Sequence, residues 1–481
     1  MVTADLLQEL MGKAQGRCSY AEARLVHDRS EHVSVLNGDV EDVSAGESEG
    51  IGVRARIGGG WGFAATRDIS AAGAEVALAR ALAIAEAQPS APATPLASAG
   101  TPARGHWEGP CEQDPFAVSL DDRLAHLFAA EEPMRGDERI VRTSASCTAI
   151  RTSKAFASTE GAVCTQVLTE CGGGIAAVAV GDGELQVRSY PSAHGGHVAA
   201  AGWEHVLELD LAGHAGRIAE EAIALLTAPV CPEEITTLVI DAQQVALQVH
   251  ESIGHALELD RILLGEASYA GTSFVTPADL GSLRYGSELL NVTADATAPG
   301  GLGSFGWDDE GVAGKRTPLI AGGVLQATLS NRESAAAVGL QESGGCARAH
   351  GFARQPIVRM TNVNLEPGDA GSLADLIADT DHGLYLENNR SWSIDDRRLK
   401  FQFACEVGRE IRGGELGRLL RNSSYAGITP RFWGSLDAIC SPAEWRLWGL
   451  MNCGKGEPGQ AAHVSHGAAP ARFRNVQVGV A

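Results

Sequence analysis

The chain has 481 residues and carries 38 Lys and Arg against 60 Asp and Glu, a formal net charge of −22 that no basic block interrupts. That acidity excludes a protein that tracks nucleic-acid phosphates. Hydrophobic residues at 44% and charged residues at 20% exclude a disordered chain, and the length supplies two or three domains with full cores.

The N-terminus carries Asp5 and Glu9 where a signal peptide needs an apolar core, so no export is expected. No apolar run reaches the roughly 18 residues a spanning helix needs. Ten cysteines are spread singly without a C-x-x-C pair, the usage of a reduced, cytoplasmic protein.

Periodicity predicts a helix over 3–15, then strands over 21–28, 31–37, 40–45, 50–57 and 62–65 separated by polar turns, then an Ala-rich helix over 71–87. Residues 88–105, rich in Pro, Ala and Ser, read as a surface linker. A second module follows: a helix over 120–130, strands over 141–149, 154–158, 162–170 and 176–181, and a helix over 207–226 that ends at Pro229. The expected domains are an N-terminal α+β domain with linker (1–105), a central α+β domain (106–229) and a β-rich C-terminal domain (230–481). The fold class is α+β: sheet-and-helix modules followed by a strand-rich, barrel-like C-terminal domain that carries the chemistry.

After a strand at 236–240, Asp241 caps a helix whose buried stripe is Val245, Val249, Ile253 and Leu257. This helix also carries His250, Glu251 and His255, two imidazoles for a metal and a carboxylate to deprotonate its water. The spacing is not H-E-x-x-H. Residues at i and i+5 lie about 140° apart on an ideal helix, so both histidines meet one ion only if the helix loosens locally, and Gly254 is the natural place for a π-type bulge. A catalytic zinc needs a third protein donor. The best candidate is Cys453, whose surroundings, Asn452-Cys453-Gly454-Lys455-Gly456, predict a glycine-rich loop that leaves room around one thiol. The G-x-G-x-x-G pattern there contains Pro458 and precedes no helix, so it is not a nucleotide fingerprint. The competing donors, His463 with His466 and His194 with His197, read as surface histidines in loops.

Several segments together resemble the TldD branch of the TldD/PmbA (TldD/TldE) metalloproteases. They are His250-Glu251-x-x-x-His255, Trp307-Asp308-Asp309-Glu310-Gly311, Arg359-Met360-Thr361-Asn362, Gly383-Leu384-Tyr385 and Cys453-Gly454-Lys455, with Gly50-Ile51-Gly52-Val53-Arg54 and Trp61-Gly62-Phe63 near the start. The resemblance covers essentially the whole chain. It implies a zinc peptidase with His250, His255 and Cys453 as ligands and Glu251 as general base. It also implies pairing with a PmbA/TldE-like subunit that lacks the motif, or with a second copy, and no nucleic-acid or membrane partner. Trp307, Asp308, Arg359 and Asn362 are its implied substrate-binding residues. Asp308, Asp309 and Glu310 either orient a ligand histidine or form a solvated turn; the turn is the expectation. Two segments depart from the family pattern, 347–352 and 388–395, and are expected to line the cleft. The function expected is hydrolysis of unfolded or extended peptides. The alternatives are an amide hydrolase of specialised metabolism and a non-catalytic regulatory protein.

Overall fold

The computed structural model describes residues 4–88, 95–193 and 195–480; residues 89–94 of the linker expected at 88–105, and His194, lie outside the described residues. The N-terminal strands are longer than periodicity predicts. Tyr20–Leu36 and Asp39–Ile57 run unbroken, joined at Asn37-Gly38, the only adjacent positions there with positive φ (51° and 86°), as a two-residue hairpin turn requires. The polar turns expected near 29–30 and 46–49 are instead extended strand, because polar residues there only face solvent on one side of a hairpin. The same holds for Ile140–Ser158 and Val163–Gly181, each of which spans two expected strands.

These strands share one sheet, ordered 60–66, 39–57, 20–36, 140–158, 163–181 and 104–108, so the residues on both sides of position 105 hydrogen-bond continuously. Helices Ala4–Ala14 and Ala71–Ala87 cover one half of it with Leu7, Leu10, Ala77 and Leu78 in a common core. Helices Leu120–Glu131 and Leu211–Thr227 cover the other half. The last helix starts later than expected because Asp210 takes a left-handed conformation and caps it through Gly213 N–H.

Beyond residue 230, five strands close into a barrel. Glu234–Ile240 lies between His382–Ile394 and Ala471–Val478; Ser424–Ile428 and Lys400–Arg412 complete the ring, and the last pairs back onto 382–394. Closure removes the free edges that a five-stranded sheet would otherwise expose. Phe401, Phe403, Tyr425, Phe432, Trp433 and Phe473 pack its core as a cluster of stacked and edge-on rings. A separate hairpin, Arg446–Lys455 with Gln460–Ala468, leans over the helix that leaves the first barrel strand. No helix among the described residues is long and apolar enough to cross a membrane.

Candidate metal centre

Asp241 ends the first barrel strand and caps the helix Ala242–Val249, accepting from Gln244 N–H at 3.0 Å. The predicted stripe is fully buried: Val245, Val249, Ile253 and Leu257 are each 0% exposed. At His250 the helix widens. Residues 250–254 form a π-turn in which His255 N–H reaches back five residues to the His250 carbonyl, and a short 3₁₀ turn follows. The loosening that the i,i+5 spacing demands is therefore present, and it brings the two imidazole centroids to 4.6 Å. Gly254 is needed for close approach: a Cβ there would sit 2.2 Å from the Met360 sulfur, in a fully packed core.

Cys453 belongs to the hairpin strand, paired with Ala462, not to the expected loop; the glycines that suggested a loop lie at the strand end and in the turn over 456–459. Its thiol lies 3.7 Å from His255 Nε2. His250, His255 and Cys453 each offer a ligand atom, and these atoms all fall within 4.8 Å of one another. All three are buried.

The outer nitrogens are tied down. His255 Nδ1 meets Glu258 Oε2 at 3.0 Å. Burial alone would raise the Glu258 carboxyl, but Lys455, His255 and Arg261 outweigh it and hold it well below the usual range. His250 Nδ1 lies 2.7 Å from His466 Nε2, and His466 Nδ1 lies 2.9 Å from the Val363 carbonyl. A carbonyl only accepts, so His466 donates from Nδ1, presents a lone pair at Nε2, and receives the Nδ1–H of His250. The His250 Nε2 lone pair is thereby left for an ion. Burial pushes His250 down to about 4 and His255 downward, the direction that favours the neutral imidazole a metal needs. Burial raises the Cys453 thiol, but His255, its hydrogen bond and Arg359 more than reverse this and favour the thiolate. Two neutral imidazoles and a thiolate at these separations fit a zinc ion. Glu251, next to His250 on the π-turn, is buried and accepts from Arg398 Nη1 at 2.8 Å through Oε2.

His466, expected at the surface, is 1% exposed and belongs to this centre. Its position on a strand rather than a loop, Gln460–Ala468, turns it inward. His463 faces the other way and pairs with Glu170 at 2.5 Å, and His197 lies in a short strand with its Nε2 2.8 Å from the Leu447 carbonyl. Asp308, Asp309 and Glu310 form no solvated turn. All are buried: Asp309 meets Lys154 and Arg24, Glu310 meets Arg54, and Asp308 accepts the main-chain N–H groups of Glu310, Val312 and Ala347. They join the N-terminal sheet to the C-terminal region, and none reaches the ligand histidines by hydrogen bond.

Trp307, Asp308 and Arg359 line a cavity of about 510 Å3 between the N-terminal sheet and the C-terminal region, beside Ala462. Asn362 does not line it; its amide accepts from Gly303 N–H and donates to the Asp295 carbonyl and Ser304 Oγ, pinning the 295–304 loop. Of the two divergent segments, 348–351 lines the cavity and 388–395 does not. Asn388 and Asn389 instead tie the barrel to Ser189 and Gln243. Sequence reasoning did not single out Glu258, Arg261 or Arg398, and gave Lys455, named within the Cys453-Gly454-Lys455 segment, no role. The i,i+3 spacing of Glu258 from His255 was the one available signal.

A five-stranded barrel feeding a capped helix into a His-His-Cys centre, with a carboxylate on the same turn, defines a metallopeptidase-type site. The chain belongs to the PmbA/TldA metallopeptidase family, whose domain 1 matches residues 21–85, central domain 113–227 and C-terminal domain 233–480. It is similar to a metalloprotease of Methanothermobacter thermautotrophicus, 30% identical over 478 residues and 99% of each chain. Over 243 residues, 50% of this chain and 51% of the relative, it is 28% identical to a zinc metalloprotease TldD homolog of Saccharolobus solfataricus. Solved structures share the fold, two of them as follows. A putative modulator of a DNA gyrase from Thermotoga maritima has a TM-score of 0.76 at 16% identity, covering 98% of this chain and 99% of that one. TldE from Thermococcus kodakarensis has a TM-score of 0.74 at 14% identity, with the same coverage.

Proposed function

We propose that the protein is a zinc-dependent peptidase acting on unfolded or extended peptides, the catalytic half of a pair with a PmbA/TldE-like subunit. The observation that carries this reading is the meeting of His250, His255 and Cys453 from distant parts of the chain, with Glu251 beside them. His250, His255 and Cys453 would hold a zinc ion, which would supply Lewis acidity for activating a water and polarising a peptide carbonyl. Glu251 is the base. Arg398 holds its Oε2 and leaves Oε1 to take the proton of the attacking water and return it to the leaving amine. Burial of all four side chains supports a narrow, extended substrate rather than a folded one. The relative named a zinc metalloprotease supports the metal, and the TldE neighbour supports the partner.

Glu251→Gln tests the assignment. Zinc content is expected to stay at the wild-type level while turnover of an unstructured peptide falls by about 10²-fold or more. Turnover within a factor of two of wild type removes Glu251 from the reaction.

A further inference from the structure

The cavity beside the hairpin has an unusual charge balance. Lys154 is neutralised by Asp309 and His463 by Glu170. Two guanidiniums on its wall bond carbonyl oxygens rather than carboxylates. Arg348 donates to the carbonyls of Met360, His463 and Leu302; Arg359 donates to those of Gln460 and Cys453. Neither forms an ion pair with a carboxylate among the described residues, and Arg359, 1% exposed, keeps an Nε with no hydrogen-bond partner. Burial and the neighbouring Arg359 push Arg348 downward, the direction expected of an under-compensated cation. Asp28 is an acid on the wall without an ion-pair partner among the described residues; it accepts from Thr152 Oγ1 at 2.7 Å.

The lining also has an apolar part, built by Val26, Trp107, Ile150, Leu168, Phe305 and Trp307. Gly46, Glu47 and Ser48 form a further side. They lie on the strand 39–57, whose next neighbour, 60–66, pairs only with 51–57, so residues 39–50 have one edge unpaired among the described residues. An extended peptide can pair with such an edge through its main chain. Two wall residues touch the hairpin strand that carries Cys453: Arg359 holds the Cys453 carbonyl, and Ala462 faces Cys453 across the hairpin.

We infer that this cavity is a substrate subsite in which Arg348 and Arg359 receive a carboxylate of the bound peptide while an apolar side chain lies on Trp107 and Trp307. A buried guanidinium (Arg359) and a half-buried one (Arg348), neither paired with a carboxylate among the described residues, suit a planar carboxylate through charge-assisted bonds. The carboxylate belongs either to the peptide C-terminus or to an acidic side chain. The inference rests on the peptidase reading above for the identity of the ligand, and its test does not require cleavage.

The experiment is calorimetric titration of the full chain, stripped of metal by a chelator, with an unstructured peptide ending in an apolar residue. Its C-terminal amide and a version with Asp and Glu replaced by Asn and Gln are titrated in parallel. A loss of about 10-fold or more in affinity for the amide assigns the subsite to the C-terminal carboxylate, and the same loss for the Asn/Gln version assigns it to a side chain. In Arg348→Gln the difference between the charged and neutral peptides is expected to vanish. Equal affinity of all three peptides for the wild type overturns the inference. Cleavage by the zinc-loaded protein is scored separately: carboxylate-dependent binding without cleavage contradicts the peptidase reading alone, and cleavage indifferent to the carboxylate contradicts the subsite alone.

Discussion

His466 Nε2 accepts the Nδ1–H of His250 at 2.7 Å, and its own Nδ1–H is held by the Val363 carbonyl at 2.9 Å. One main-chain carbonyl on the strand 363–365 thus fixes the tautomer of two imidazoles in series and aims the lone pair of the second into the centre. Removing the relay leaves the His250 ring free to turn. His466→Ala is expected to weaken zinc binding by about 10- to 100-fold, measured by competition with a chromogenic chelator. Unchanged affinity contradicts the relay.

Lys455 is 0% exposed and lies 2.7 Å from Asp260 and 3.4 Å from Glu258, the carboxylate that orients His255. Lys455→Met keeps the volume and leaves the buried Glu258 and the half-buried Asp260 short of a cation. The expected cost is about 3–5 kcal/mol, read from denaturant unfolding of the metal-free protein. A change below about 1 kcal/mol contradicts a buried charge role for this lysine.

Acid stability depends on His197, which is enclosed against His205 and Trp448 and pushed by burial down to about 3. Between about 6.5 and 3 the unfolded chain binds a proton at this position and the folded chain does not, so stability is full above pH 6.5 and falls as the pH drops through that window. His197→Gln can still donate to the Leu447 carbonyl and has no such proton. Its loss of unfolding temperature between pH 7 and pH 5 is expected to be smaller than that of the wild type; an equal or larger loss contradicts the assignment.

The local features of the metal centre were legible in the sequence because they follow from helix geometry. An i,i+5 pair of histidines cannot face one ion from a regular helix, and the glycine before the second one marks where the turn widens. Cys453 was legible as a donor but not as part of a strand, since glycines mark a hairpin end and a loop alike. His466 and the acids 308–310 were misread for one shared reason. Polar residues near glycines are usually solvated, and only long-range packing, with the barrel beneath His466 and the N-terminal sheet against Asp309 and Glu310, buries them. The hairpin lengths at 20–57 were hidden similarly, because polar residues in a half-exposed strand look like turns until the pairing partner is known.

The central claim is that two histidines on a widened helix and one hairpin thiol share a single ion. Metal analysis of the purified full-length chain, wild type beside Cys453→Ser, addresses it most directly. The claim predicts close to one zinc per wild-type chain and loss of most of it in the variant, with the variant still folded by circular dichroism. Zinc retained at the wild-type level in a folded Cys453→Ser protein contradicts it.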